Sequence, residues 1–348
     1  AKAYVLNRGE YDQRRDEVQP DTPDILPVFP ADAPRNRLGL AQWLLLADHP
    51  LTSRVTVNRF WQEVFGTGLV RSSGDFGTTG ELPSHPELLD WLAVEFRESG
   101  WDVKKLFKLM VTSAAYRQQA VITPEKLVKD GANRLLSRGP RFRMDAEMVR
   151  DAALASSGLL VKQIGGPSVK PYQPDGVWEA VSMGGNTNQY QRDKGENLYR
   201  RSMYWFWKRS APPASMDIFN APSRETCTVK RERTNTPLQA LVTLNDPQFV
   251  EAARALADQA LDQGGDTDDL RIAFLAQRLL SRPLVPEETA IVKGSLADLA
   301  EWYKAHPEDA KLVIAAGDSK PRGIDPVQLA SWTMLTNELM NLDEVLCK

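Results

Sequence analysis

Apolar residues recur along this chain at helical spacing, and local punctuation marks where each run starts and stops. In PLTSRVTVNRFWQEVFG, Val57, Phe60, Trp61, Val64 and Phe65 share one face. Thr52 or Ser53 offers an N-cap there, and Gly66 suits the stop. PSHPELLDWLAVEFRESG carries Ser84-x-x-Glu87, which reads as a capping box, then Leu88, Leu89, Leu92 and Phe96, then Gly100. Asp102 caps a run predicted to bury Val103, Leu106, Leu109 and Met110, and Asp145 and Gly158 bracket another. Thr236-Pro237-x-Gln239 combines a cap, a first-turn proline and a capping-box glutamine. Asp246-Pro247 opens the next run, with Phe249, Val250, Ala253, Leu256 and Ala257 on its face. Residues 270–280, 287–303 and 326–340 read as further amphipathic helices.

Two stretches break this grammar. Residues 66–86 hold five glycines and two prolines, which predicts a long structured loop of the kind that often carries function. From about 165 to 236 the chain turns Gly-, Pro- and Asn-rich, then aromatic and basic in NLYRRSMYWFWKRSAPP, with at most a short strand or helix at 199–208. No fixed-period repeat occurs, and strands do not alternate with helices as a parallel sheet requires. The predicted fold is therefore mainly α: a multi-helix globular domain with an irregular Gly/Pro/aromatic-rich central insert and at most minor β. The expected organisation is an extended segment (1–35), an N-terminal helical subdomain (36–160), the basic and aromatic insert (161–235) and a C-terminal helical subdomain (236–348).

Composition narrows the function. With 348 residues and 42% hydrophobic content the chain can bury a sizeable core. Its 43 basic and 46 acidic residues give a net charge of −3, which argues against a nucleic-acid polyelectrolyte. No apolar window reaches the ~18–20 residues that span a bilayer. The polar start AKAYVLNRGEYDQRRDE carries no signal peptide, and without an initiator Met the chain reads as a processed product or a piece of something longer. Cys227 and Cys347 form no CxxC or CxxCH, so zinc-ribbon and c-type haem signatures are absent from the sequence. Two free thiols are expected. Three histidines, His49, His85 and His306, leave little for a multi-His metal site, and no metal is expected. GxSxG, P-loop and GxGxxG fingerprints are also missing.

Several long blocks coincide with one family. RLGLAQWLLLADHPLTSRVTVNRFWQEVFGTGLVRSSGDFGTTGELPSHPELLDWLAVEF resembles the core signature of the planctomycete-type domain-of-unknown-function family fifteen fifty-three. WDVKKLFKLMVTSAAYRQ, RMDAEMVRDAALASSGLL, GGPSV, RRSMYWFWKRS, RERTNTPLQALVTLNDPQFVEAARALA and NLDEVLCK look like its later blocks, in order, so the resemblance covers nearly the whole chain. It implies little chemistry. It implies an exported setting, periplasmic or extracellular, and an upstream cytochrome c domain. Haem c would belong to that part, so no cofactor is expected in this chain. The partner implied is a cytochrome c domain of the same or another polypeptide.

Four features are candidates for chemistry. Residues 138–233 hold 16 Lys/Arg against 10 Asp/Glu, a net of +6, which leaves −9 for the rest. Such a basic face can focus an anionic ligand, and Arg224, Arg231, Arg233 and Arg201 are its guanidinium candidates for carboxylate, sulfate or phosphate. Equally, these arginines can pair with carboxylates of flanking helices. Cys227, among basic residues, is either an activated thiol or, as expected here, a structural one that packs as a small hydrophobe. His85, at the first helical position after Ser84, is a candidate acid or base beside Asp75, or simply fixes the glycine-rich loop. Tyr199, Tyr204, Trp205, Phe206 and Trp207, with Tyr172, Trp178 and Tyr190, either stack on sugar rings or form the core of the insert. Asp75, Glu81, Asp175 and Glu179 lie in predicted loops without an identifiable acid–base pairing.

Three functions remain open: an accessory module that docks a haem domain or positions an anionic substrate, an extracytoplasmic enzyme domain acting on anionic carbohydrate, and a structural assembly domain.

Overall fold

A computed structural model describes residues 2–180 and 190–348, without the side chains of residues 179 and 180. The part of the insert at 181–189 and the Glu179 carboxyl lie outside the described residues. The fold is mainly helical, and its one sheet among the described residues is an antiparallel hairpin of β1 (Ala3–Leu6) and β2 (Arg14–Val18).

The chain divides into two compact units, Ala1–Arg141 and Phe142–Lys348. The first holds α1 (Arg37–Leu44), α2 (Thr52–Phe65), α3 (Pro86–Glu98), α4 (Val103–Thr112) and α5 (Pro124–Asp130). Its core joins Val57, Trp61, Val64 and Phe65 of α2 to Leu89, Leu92 and Phe96 of α3 and Leu106 and Met110 of α4, as the spacing predicts. Val103 is the exception. It is 42% exposed at the first position of α4, ahead of the turn that faces the core.

The start of α3 differs from the capping-box reading. Proline disfavours helical backbone in the residue before it, so His85 is held non-helical (φ −138°, ψ 82°) and is itself the N-cap of a helix starting at Pro86. Ser84 instead donates its backbone N–H to the Leu69 carbonyl, 2.9 Å away. The start of α2 also moves: His49 Nδ1 accepts from the Thr52 N–H at 3.3 Å and the Leu51 N–H at 3.4 Å, doing the work expected of Thr52 or Ser53.

The second unit holds α6 (Ala146–Ser156), α7 (Val177–Ala180), α8 (Ala214–Ile218), α9 (Pro237–Asn245), α10 (Pro247–Gln263), α11 (Asp268–Leu280), α12 (Pro286–Ala305), α13 (Pro307–Ile314), α14 (Pro326–Met340) and α15 (Asp343–Leu346). Its centre is α10 against α14. Ala252, Ala253, Ala257 and Ala260 are fully buried along α10 and let the backbones approach. Apolar residues run around α14 on every side, as expected of a helix enclosed by α10, α12 and α13. A second cluster joins Val149 of α6 to Trp205, Met216, Phe219, Phe249 and Leu346. Thus α6, grouped in sequence with the N-terminal helices, packs in the second unit.

Among the described residues the insert lies in this unit as bends, the short helices α7 and α8, two 3-10 turns (Gly195–Tyr199 and Ser202–Tyr204) and isolated bridges.

Candidate functional site

In the first unit, Asp75 is committed to its own loop. Its Oδ1 accepts the Gly77 N–H at 2.7 Å and its other oxygen accepts the Thr79 hydroxyl. The Thr79 bond, then the Gly77 bond, holds its pKa below the ordinary carboxyl value. The same loop is clipped to α2 by fully buried Asn58, which accepts the Val70 N–H at 2.8 Å and donates to the Val70 carbonyl at 3.0 Å. A Cβ on Gly68 would lie 2.6 Å from the Asn58 amide nitrogen, so glycine is needed there. His85 is half-buried with Nδ1 3.0 Å from Ser84 Oγ. Both residues are thus tied into loop architecture.

In the second unit, the predicted arginines are also engaged. Arg231 binds Glu147 at 2.5 Å, and Arg233 lies 3.6 Å from Asp145 and 4.3 Å over the Phe142 ring. Asp145 is the N-cap of α6 but makes no side-chain cap bond, because its carboxylate faces these arginines. Arg224 stands 4.6 Å over the Trp207 ring. Arg201 is exposed. Cys227 is exposed too, so it does not fill a core as the structural-thiol expectation had it.

A different place in this unit has the shape of a site. An open cleft of about 590 Å³ has one apolar wall, Ile218 of α8 with Leu238, Leu241 and Val242 of α9. Tyr172, Asp175, Tyr190, Arg192 and Asp246 line the rest. Leu238 and Leu241 are 60% and 56% exposed, unlike the buried faces of the neighbouring helices.

Two buried networks position the polar lining. In the first, Glu251 and Arg254 sit one helical turn apart on α10, with 1% and 2% exposed. Glu251 accepts the hydroxyls of Tyr172 and Tyr199, each at 2.8 Å, and the Ser319 N–H at 2.6 Å. Arg254 donates to the Ile314 and Ser319 carbonyls. The Asp318 N–H donates to the Tyr172 hydroxyl, and the Asp318 carboxylate pairs with Arg192 at 2.9 Å. Arg192 then lies 4.9 Å over the Tyr172 ring. Burial, with the Glu251 carboxylate, pushes the Tyr172 hydroxyl up in pKa, so it stays a neutral donor.

The second network runs from Arg150, 2% exposed, on α6. Its guanidinium donates to Gln248 Oε1 at 2.7 Å and to the Leu198 and Arg200 carbonyls at 2.7 and 2.8 Å. Burial lowers its pKa to about 10. Gln248 passes the contact on, donating to an Asp246 carboxyl oxygen at 3.3 Å. Asp246 caps α10 as predicted, accepting the Gln248 N–H at 3.0 Å, and burial raises its pKa. The cleft therefore holds a carboxyl whose pKa burial raises, Asp246, and an exposed one, Asp175.

A family model described as PSD1, protein of unknown function (DUF1553), matches residues 36–296 of the 348. The chain belongs to that family. Every DUF1553 residue lining the cleft falls inside the match, as do Arg150, Glu251 and Arg254. No curated protein and no solved structure matches the chain.

Sequence reasoning missed Arg192, Asp246 as a lining group, and the Arg150 and Glu251 networks. The local signal at Asp246 was absorbed by its capping role. The wider networks around the buried charges lacked any signal, because the hydrogen-bond partners of Arg150 and Glu251 lie 48 to 98 positions away. Among the described residues no group of three or more His, Cys, Asp or Glu could hold a metal, and no helix is long and apolar enough to cross a membrane.

Proposed function

We propose that this DUF1553 chain is an accessory module that positions a sugar-sized ligand in the cleft of its second unit. In this reading it works within an exported, cytochrome-c-linked protein, with haem carried by a cytochrome c domain and not by this chain. One observation carries the ligand-positioning role: an exposed apolar wall on α9 faces Tyr172, held by buried Glu251, and Arg192, held by Asp318 at the surface. A sugar ring has one apolar face and a polar edge, and such a cleft offers each a counterpart. Arg192 is the cation available to an acidic sugar, although Asp318 already shares its charge.

The test is binding of sulfated, uronic and neutral oligosaccharides to wild type, Leu241→Asp and Arg192→Ala. Leu241→Asp is expected to weaken binding about tenfold or more, equivalent to ~1.4 kcal/mol. Arg192→Ala is expected to weaken acidic sugars more than neutral ones. Binding that ignores both substitutions, or no binding by any sugar, removes the cleft from consideration.

A second reading has its own support. Burial raises the Asp246 pKa while Asp175 stands exposed in the same cleft, and two carboxyls in such different surroundings suit acid–base hydrolysis of carbohydrate. Release of reducing ends by wild type, abolished in Asp246→Asn, would favour this enzyme reading over the accessory one.

A further inference from the structure

Parallel backbone pairing in the insert gathers two lysines at one indole. Phe206 donates its N–H to the Val169 carbonyl at 2.7 Å, and Val169 donates to the Tyr204 carbonyl at 2.8 Å. This register brings Lys170 beside Phe206 and Lys208. Lys170 Nζ lies 5.3 Å from the Phe206 ring centre and 5.9 Å from that of Trp178. Lys208 Nζ lies 4.6 Å from the same Trp178 centre. Trp178 is only 5% exposed, and its ring packs against Tyr190 at 5.2 Å and Phe206 at 5.6 Å. The base of the pair is therefore fixed, while Phe206 keeps 36% of its surface in solvent.

Other cations nearby are neutralised inside the unit: Arg209 by Glu225, Arg231 by Glu147, Arg192 by Asp318. Among the described residues no carboxylate pairs with either lysine ammonium. Asp193, close in space, spends a carboxylate oxygen on the Lys170 backbone N–H at 2.8 Å. Two ammonium groups that share one ring repel each other over distances comparable to the roughly 8–10 Å screening length of physiological salt. The faces of Trp178 and Phe206 offset part of this. A bound anion would remove the remainder. Ammonium groups are point charges without a fixed fork, so they select for charge more than for one oxyanion geometry.

We propose that Lys170 and Lys208, on the Trp178–Phe206 platform, bind an acidic polysaccharide. Its sulfate or carboxylate groups meet the two ammoniums and a sugar ring covers the exposed part of Phe206. Tyr190 is shared with the cleft, but neither lysine nor either ring of the platform lines it, and the site does not depend on the function proposed for the cleft.

The experiment titrates the full chain with dextran sulfate, carboxymethyl dextran and neutral dextran, following tryptophan emission and calorimetric heat. Both charged polymers are expected to bind and neutral dextran is not; binding by one charged polymer alone identifies which oxyanion is taken. The double substitution Lys170→Gln/Lys208→Gln should weaken binding about tenfold or more, whereas Lys162→Gln, removing an exposed cation of the same insert, should change it less than about twofold. Lys170→Arg/Lys208→Arg keeps the charges and should retain binding. Wild-type affinity in the glutamine pair, equal binding of neutral dextran, or a loss in the arginine pair as large as in the glutamine pair would each overturn the proposal.

Discussion

Asp246 does three things at once: it caps α10, it lines the cleft, and through Gln248 it faces the buried Arg150 guanidinium. Its environment shifts the balance toward the proton. Burial raises its pKa above the ordinary 3.8, against the opposing pull of the Gln248 bonds and of Arg150. The sign for stability follows. The folded state holds this proton more tightly than the unfolded chain, so the folded state loses relative stability as pH rises from about 3.8 through the higher folded pKa. Asparagine caps a helix about as well as aspartate and never ionises. Asp246→Asn is therefore expected to melt above wild type at pH 7 and level with it near pH 3.5. Thermal melts at both pH values check this; a variant melting lower at pH 7 only would mean that the ionised carboxylate, paired toward Arg150, is the stabilising form.

At the scale of elements, the helices were legible because their boundaries are chosen locally. Asp102, Thr267, Asp246 and Asp325 cap their helices through side-chain bonds two or three residues ahead, and Gly66, Gly100 and Gly158 take the left-handed backbone at the stops. Local grammar misplaced a start where a neighbour outweighed it, as Pro86 did at His85; at Asp145 the start is where the sequence put it, but the arginines take the carboxylate from its capping bond. The insert and the cleft were not legible, because long-range bonds hold them: Tyr172 to Glu251 across 79 positions, Arg150 to Gln248 across 98. The loop 66–86 sits between these cases. Its glycines announced a loop, but Asn58, read in sequence as an ordinary helical position, is what fixes it. Asn58→Ala leaves the Val70 N–H and carbonyl without these bonds in a buried place. The expected cost is about 2–6 kcal/mol, since each of the two unsatisfied buried groups costs roughly 1–3 kcal/mol. Urea unfolding measures it, and a cost under ~0.5 kcal/mol would show that the loop is held by its own turns instead.

Over the whole molecule, each unit carries its own core, and the second also ties its two ends together. The Phe142 N–H donates to the Lys348 carbonyl, and the Lys348 N–H returns a bond to Phe142, both at 2.9 Å. The Met144 N–H donates to the Leu346 carbonyl at 3.0 Å. Leu346, 4% exposed, packs with Val149, Phe249 and Met216, which places the last residues in the same cluster as the helix that carries Arg150. Outside this cluster, Arg282 bridges Glu288 and Glu344, a surface arrangement whose removal costs little. The two contributions separate by mutation. Leu346→Ala opens a cavity in the closing cluster and should cost about 2–5 kcal/mol, as large-to-small core changes do. Glu344→Gln should stay within about 1 kcal/mol. Because α6 depends on this closure, Leu346→Ala should also loosen Arg150 and so reduce ligand affinity in the cleft, some distance along the chain from the substitution. Urea unfolding and sugar binding on the same two variants decide it. A stable Leu346→Ala variant with unchanged binding would mean that α6 and the cleft are held by α10 alone.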